Sequence, residues 1–354
     1  MASSSLHVVT SDARRGAETF AVDLVVALEE MGRRARVVAL AGSGMGEVHD
    51  IPCLGATRRS AGTLRGLRAA AREVDVVVAH GSSTLEACAL GLAGTGIPFV
   101  YRTIGDPSYW VTATWRRRGV GWMLRRAARN VVLWPAAGEQ LAALYGIPSE
   151  RIDVIPNAVT PERIPAMTTV ERDEARKRFR IARERPCLAF VGSLSPEKDV
   201  GTLLSALGRL DDAMLVVAGD GPEGPRLREL ADELAPGRVR FLGAVSDPRE
   251  VYVAADLLAL PSLSEGMPAV VIEAGLAERP TVASAVGAIP ELIEDAHTGF
   301  LVPPGDPEAL AAKVLEALPI AEEIGRRARR AFEGRFTMDA VAPAWAASID
   351  AAGR

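Results

Sequence analysis

Apolar residues in this chain come in short unbroken runs rather than in alternation with polar ones. In the first half these runs are Leu6–Thr10, Arg36–Leu40, Val74–Ala79, Pro98–Arg102, Val131–Trp134 and Arg151–Ile155. Runs of this kind fit strands buried on both faces, as in a parallel sheet. Between them the spacing turns helical, over Thr19–Met31, Ser82–Gly94, Trp110–Arg129 and Gly138–Tyr145. At Thr160–Arg185 the pattern dissolves into prolines and charges, with one helix predicted over Val170–Ile181. The alternation then restarts, with strands at Cys187–Val191, Met214–Ala218, Val239–Leu242, Leu257–Leu260, Thr281–Ala283 and Gly299–Val302. Helices are predicted over Val200–Leu207, Arg226–Leu234, Pro248–Ala254, Ala269–Ala277, Ile289–Glu294, Pro307–Leu318, Ala321–Glu333 and Met338–Ala351. Strand–helix alternation of this kind predicts an α/β chain made of two doubly wound Rossmann-like domains. The expected domains are 1–160 and 161–335, followed by a terminal helix in 336–354. Ligands of such sheets bind at the carboxyl ends of the strands. Two such domains facing one another would line a cleft with their strand-end loops.

The densest stretch is Leu257–Pro280, a strand, a short loop and a helix. Pro268 is expected at the first helical position, where its missing N–H costs nothing. Glu265 lies in the loop and Glu273 about one and a half turns into the helix. Helix N-termini attract anions through their unpaired amides. A carboxylate there also reads as an ordinary helix-start acid.

Composition narrows the field. A length of 354 residues, 48% hydrophobic and 24% charged, describes an ordinary globular chain. The net charge of −4 gives no electrostatic footprint for nucleic acid. No apolar run approaches the roughly 18 residues of a membrane span. The start, MASSSLHVVTSD, has no secretory pattern, and Cys53, Cys88 and Cys187 form neither a disulfide framework nor a zinc spacing. A reducing cytoplasm is the expected location. Of the 41 basic residues only Lys177, Lys198 and Lys313 are lysines, so a loop lysine carries more information than an arginine cluster.

The strand-end loops of the second half hold the candidate chemistry. Gly192–Asp199, GSLSPEKD, sets Gly192, Ser193 and Lys198 between a strand and a helix. A lysine there can meet phosphate as a point charge. The next loop carries Gly219, Gly221 and Gly224 in G-x-G-x-x-G spacing, which raises a dinucleotide-binding alternative. The following strand, RVRFLG, ends without the acidic residue that alternative needs. No two aspartates are spaced D-x-D, so no metal is expected, and charge on a leaving diphosphate falls to Lys198 and helix N-termini.

The ordered pieces VGSLSPEKDVGTLLSAL, LVVAGDGPEGPRLREL, VRFLGAV, ADLLALPSLSEGMPAVVIEAGLAERPTVAS and VGAIPELI resemble the family-4 retaining glycosyltransferases of the two-domain GT-B fold. They cover most of Cys187–Val302, and Glu265 and Glu273 match the family's E-x7-E pair. The resemblance implies transfer of a sugar from a UDP- or GDP-sugar to an acceptor hydroxyl, without metal or cofactor. It implies that Lys198 binds the donor diphosphate and that the backbone at Leu242 faces the base. Glu265 would meet the donor sugar, and Glu273 the ribose. The amides of Gly266 and Met267, just ahead of Pro268, would serve sugar and phosphate, beside Gly192 and Ser193. Gly16 matches the first-half glycine loop near the donor phosphate, and the last helix is expected to pack on the first domain.

Three departures stand out. Ser193 sits where the family often has Arg, and the paired glycines of the first loop read Arg15–Gly16. The family's histidine after the strand FVYRTIGD is missing, which leaves His80 as either a catalytic substitute or a structural residue, with Asp106 a weaker candidate. The alternatives are a decayed nucleotide-sugar-binding protein or a sugar-phosphate synthase or phosphorylase of the same fold. The acceptor stays open among small molecules, glycans and lipid-linked sugars. Tyr109–Arg129 mixes three tryptophans with many arginines. It reads either as an arginine-rich helix of the first domain or as a peripheral contact with the inner face of a membrane.

Overall fold

The structure, a computed structural model, describes residues 2–44, 48–107, 114–164 and 168–354. It divides into two units, Met1–Ala158 with Met338–Arg354, and Val159–Thr337.

The first unit runs β1 (Ser5–Ser11), α1 (Gly16–Glu30), β2 (Ala35–Ala41), β3 (Cys53–Gly55), α2 (Ala61–Ala71), β4 (Val76–His80), α3 (Ser82–Gly91), β5 (Phe99–Arg102), α4 (Thr114–Arg126), β6 (Arg129–Val132), α5 (Pro135–Tyr145) and β7 (Ile152–Val154). The second runs α6 (Thr169–Arg178), β8 (Cys187–Val191), α7 (Val200–Leu207), β9 (Met214–Ala218), α8 (Gly224–Leu234), β10 (Val239–Gly243), α9 (Arg249–Ala254), β11 (Leu257–Leu260), α10 (Ala269–Leu276), β12 (Thr281–Ser284), α11 (Ile289–Leu292), β13 (Gly299–Val302), α12 (Pro307–Ala317) and α13 (Ala321–Glu333). The last helix, α14 (Met338–Ala352), belongs to the first unit.

The sheet orders are β3-β2-β1-β4-β5-β6-β7 and β10-β9-β8-β11-β12-β13, and the strands pair in parallel. Both orders reverse next to the first strand of their unit, between β1 and β4 and between β8 and β11. That reversal is where a doubly wound sheet opens a crevice at its carboxyl edge.

In the first unit one sheet face presents Val76, Val78, Val100 and Val131 to Phe20 and Leu24 of α1 and to Trp345 and Ile349 of α14. In the second, Arg176 of α6 is buried and pairs with Asp256 at 2.9 Å, and Asp256 Oδ2 also accepts from the Cys187 amide at 2.7 Å. That network ties α6 to the starts of β8 and β11. Asp306 caps α12 by accepting from the Ala309 amide at 2.9 Å.

The sequence pattern missed β3 and α2. A three-residue edge strand carries too little apolar signal, but α2 had a readable start, because Ser60 accepts from the Thr63 amide at 3.1 Å. The stretch Trp110–Arg129 is not one helix. Residues 108–113, including Tyr109 and Trp110, lie outside the described residues, and Arg129 opens β6, where its Nε donates to Asp153 of β7 at 2.8 Å.

Candidate active site

β8 and β11 are neighbours in the sheet although far apart in sequence, with Leu257 opposite Leu188 and Leu258 opposite Ala189. Their following loops therefore leave the carboxyl edge side by side. Lys198 ends a short 3-10 turn, Pro196–Lys198, after β8, and its Nζ donates to Glu265 Oε1 in the loop after β11 at 2.6 Å. Ser262, fully buried, donates its hydroxyl to the same oxygen at 2.7 Å. The backbones are joined as well, since the Leu263 amide donates to the Glu197 carbonyl at 2.8 Å. Glu265 is itself buried, so its charge is held by partners rather than by solvent. A cation and an acceptor oxygen thus stand together at the reversal point of the sheet.

Two neighbouring loops hold this pair in place. The Ala288 amide donates to the Gly266 carbonyl at 2.9 Å, and Gly287 has φ +55°. A Cβ on Gly287 would lie 2.0 Å from the Glu265 carbonyl oxygen, so only glycine allows this approach. On the other side the Leu194 amide donates to the Asp220 carbonyl at 2.9 Å. A Cβ on Gly219 would lie 1.7 Å from the Gly192 carbonyl, and one on Gly221 2.4 Å from that of Leu194. The G-x-G-x-x-G spacing therefore has a packing cause, the seating of one strand-end loop on another.

Pro268 is the cap residue of α10, one position earlier than the sequence predicts. Met267 has a buried side chain, so its backbone is what it offers, and Gly266 is half-buried beside it. On α10, Glu273 is half-buried and its Oε2 accepts from the Tyr252 hydroxyl at 2.7 Å. Gly192 and Ser193 precede Lys198 in its loop, and Ser193 is exposed with its hydroxyl 3.0 Å from that of Ser195. Leu242 is half-buried at the end of the edge strand β10 and lines a cavity of about 430 Å³ with Phe179, Arg240 and Phe241.

Gly16 and His80 belong to the first unit. Gly16 is exposed as the first residue of α1. His80 is 1% exposed, its Nε2 lies 3.1 Å from His7 Nδ1, and its ring stacks on those of His7 and Trp345. Burial, with the charge of Arg102 nearby, holds it well below the usual histidine range and so neutral. This burial, with Trp345 of α14 stacked on the ring, is what supports the structural alternative for His80. Asp106 follows β5 in the same unit, half-buried.

Sequence reasoning missed Ser262 and Tyr252. Ser262 precedes Glu265 by three residues and could have been found as a local partner. Tyr252 reads as a core aromatic of an amphipathic helix, and only packing shows where its hydroxyl points. Among the described residues no group of three or more His, Cys, Asp or Glu side chains is placed to hold a metal ion.

Two family models match the chain. Glycosyltransferase Family 4 covers residues 14–163, and Glycosyl transferases group 1 covers residues 185–319. The chain belongs to the family-4 glycosyltransferases. The D-inositol 3-phosphate glycosyltransferase of Mycolicibacterium smegmatis is 34% identical over 234 residues, which is 64% of this chain and 51% of the relative. The 2-deoxystreptamine glucosyltransferase of Streptomyces kanamyceticus is 32% identical over 205 residues, 56% of this chain and 53% of the relative. These alignments span about half the length of either relative. Among solved structures, Anabaena HepE in complex with UDP-glucose superposes with a TM-score of 0.87 at 22% identity, covering 98% of this chain and 99% of that one. WaaG, a glycosyltransferase involved in lipopolysaccharide biosynthesis, gives 0.77 at 18% identity, covering 98% and 99%. The family-4 chain described here has the GT-B fold.

Proposed function

We propose that this protein moves a sugar from a nucleotide-sugar donor to an acceptor hydroxyl with retained anomeric configuration and without a metal. The observation that carries the reading is the Lys198–Glu265 pair, 2.6 Å apart at the reversal point of the second sheet and seated by Ser262. Lys198 offsets the charge of the departing diphosphate, and Glu265 orients the donor sugar through its hydroxyls. Glu273 receives the ribose, and the main chain at Gly192, Ser193 and Gly266–Pro268 lines the phosphates and sugar. The bond from the anomeric carbon to the diphosphate oxygen breaks while the acceptor oxygen bonds to that carbon on the same face. The acceptor's proton leaves with the diphosphate, so the step asks for positioning and charge stabilisation rather than for a side-chain base.

The HepE complexes with UDP-glucose and UDP support a UDP-sugar donor. The relatives named for D-inositol 3-phosphate and 2-deoxystreptamine support a hydroxyl-rich ring as acceptor. Calorimetric titration of UDP, GDP, ADP and TDP tests the donor site. The expected result is binding of one nucleotide, UDP, that is lost in Glu273→Ala. Binding of none of the four would overturn the reading in favour of a protein without this activity. Transfer should persist in EDTA, and a loss restored by added magnesium would overturn the metal-free part.

The exposed face of α4 supports a peripheral membrane contact. Trp115 is 73% exposed and Trp122 46%, and the guanidinium groups of Arg116 and Arg126 lie 5.3 Å from their respective rings. Thr114–Arg126 contains five arginines and no acid, a pattern that suits an anionic lipid surface. Vesicles containing anionic phospholipid should co-sediment with wild type at moderate salt and not with a Trp115→Ser, Trp122→Ser variant. Absence of wild-type binding sinks this contact.

A further inference from the structure

We infer that Tyr252 is the positioning residue for the carboxylate that receives the nucleotide's ribose. The inference rests on the donor-site reading above and adds a residue to it. Tyr252 sits in α9, which leads directly into β11, and its side chain is 1% exposed. A buried phenol needs a hydrogen-bond partner. This one donates to a carboxylate, Glu273 Oε2, at 2.7 Å. The same residue is tied to α10 a second time, because its carbonyl accepts from Arg279 Nε at 3.0 Å just past the end of that helix. Two bonds thus fasten Tyr252 to α10 and the residues that follow it, one at the Glu273 carboxylate and one at Arg279.

The consequence for Glu273 is conformational. The terminal torsion of a glutamate is broad and nearly two-fold, so an untethered carboxylate samples many orientations. A donor fixed in the core selects one of them before any ligand arrives. Burial, together with the charge and hydrogen bond of Glu273, pushes the phenol's ionisation well above its usual 10, so the group is a proton donor throughout the working range. A ribose hydroxyl then meets an acceptor already in place, and the ordering cost is removed from binding. The competing explanation is that Tyr252 merely fills the core and Glu273 merely satisfies it. The two explanations differ in what happens to ribose recognition when the hydroxyl is removed and the ring kept.

The test is therefore Tyr252→Phe, with calorimetric binding of UDP, 2′-deoxy-UDP and 3′-deoxy-UDP to wild type, Tyr252→Phe and Glu273→Gln. Wild type should prefer UDP over at least one deoxy form by about tenfold, the worth of one hydrogen bond to a charged group. In Tyr252→Phe, UDP should weaken by about as much while the deoxy form is unchanged, so the preference collapses. If the variant weakens both nucleotides equally, or neither, Tyr252 does not position the ribose acceptor. If Glu273→Gln loses the preference while Tyr252→Phe keeps it, the donor site stands and this inference alone falls. If wild type shows no preference, the ribose role of Glu273 falls and takes this inference with it. The phenyl ring preserves the packing, and the thermal midpoint of the variant checks that it does.

Discussion

At the scale of single residues, Glu265 Oε1 accepts from two donors at once, Lys198 Nζ at 2.6 Å and Ser262 Oγ at 2.7 Å. The lysine side chain is 20% exposed and the glutamate 7%, so this pair is mostly out of water. Removing one partner of such a pair strands the other charge and costs roughly 3–5 kcal/mol. Lys198→Ala should therefore lower both the thermal midpoint and kcat/KM, the latter by about 100-fold or more if the lysine meets the diphosphate. Lys198→Arg separates the two effects. It keeps the charge and much of the stability, but a planar fork does not reproduce a point charge. Steady-state kinetics beside thermal melts should show a near-normal midpoint with reduced kcat. Wild-type kcat/KM in either variant would remove Lys198 from the mechanism. His7 supports a second prediction, about pH. Burial moves it from the usual 6.5 to about 3, and His80 shifts in the same direction. Between those values the unfolded chain binds the proton and the folded one does not. Stability is therefore complete above about 6.5 and falls as pH drops toward 3, by up to about 1.4 kcal/mol per pH unit for His7, with His80 acting in the same direction. Urea unfolding at pH 7, 6 and 5 should show that slope, reduced in His7→Gln. An unchanged slope in that variant would assign the acid sensitivity to other groups.

At the scale of elements, the site exists because parallel neighbours deliver their loops to one edge. Gly287 is the point where two such loops touch, since the loop after β12 lies on the backbone of Glu265 and Gly266. Gly287→Ala would place a methyl group 2.0 Å from a carbonyl oxygen, at a φ of +55° that alanine avoids. The loop carrying Glu265 has to move, so nucleotide affinity and transfer should both drop, by about tenfold or more for a shift of this size. Calorimetry of UDP on this variant checks it, and wild-type affinity would show that the loop tolerates displacement. Much of this architecture is legible in the sequence. β8, β9, β11 and β13 are apolar runs buried by flanking helices, and their predicted limits match the structure. The spacing of Glu265 and Glu273 and the placement of Lys198 are legible for the same reason, since strand-end loops have fixed positions in such a sheet. What stayed hidden depends on packing between distant segments. The direction of the Tyr252 hydroxyl follows from how Tyr252 is set against Glu273 and Arg279. The burial of His80 follows from Trp345, which arrives from the far end of the chain. A strand-end histidine looks the same in sequence whether or not a helix covers it.

At the scale of the whole molecule, the first unit is completed by both ends of the chain. The Ser3 amide donates to Asp350 Oδ1 at 2.9 Å, and Ser348 donates to Asp153 Oδ2 at 2.7 Å. Between them Trp345 is fully buried against Phe20 and His80. The second unit has its own sheet and its own core. A core lesion in α14 should therefore act on one unit only. Trp345→Ala leaves a large cavity, with an expected cost of about 3–5 kcal/mol. Hydrogen exchange followed by mass spectrometry reads the two units separately. Exchange should accelerate across β4, β5 and β6, which pack with α14, and stay at wild-type rates in β8, β9 and β11. UDP affinity should hold, because the proposed contacts of Lys198, Glu265 and Glu273 all lie in the second unit. Accelerated exchange in both units would mean that they unfold together. The last helix would then support the donor site as well as the sheet it packs on.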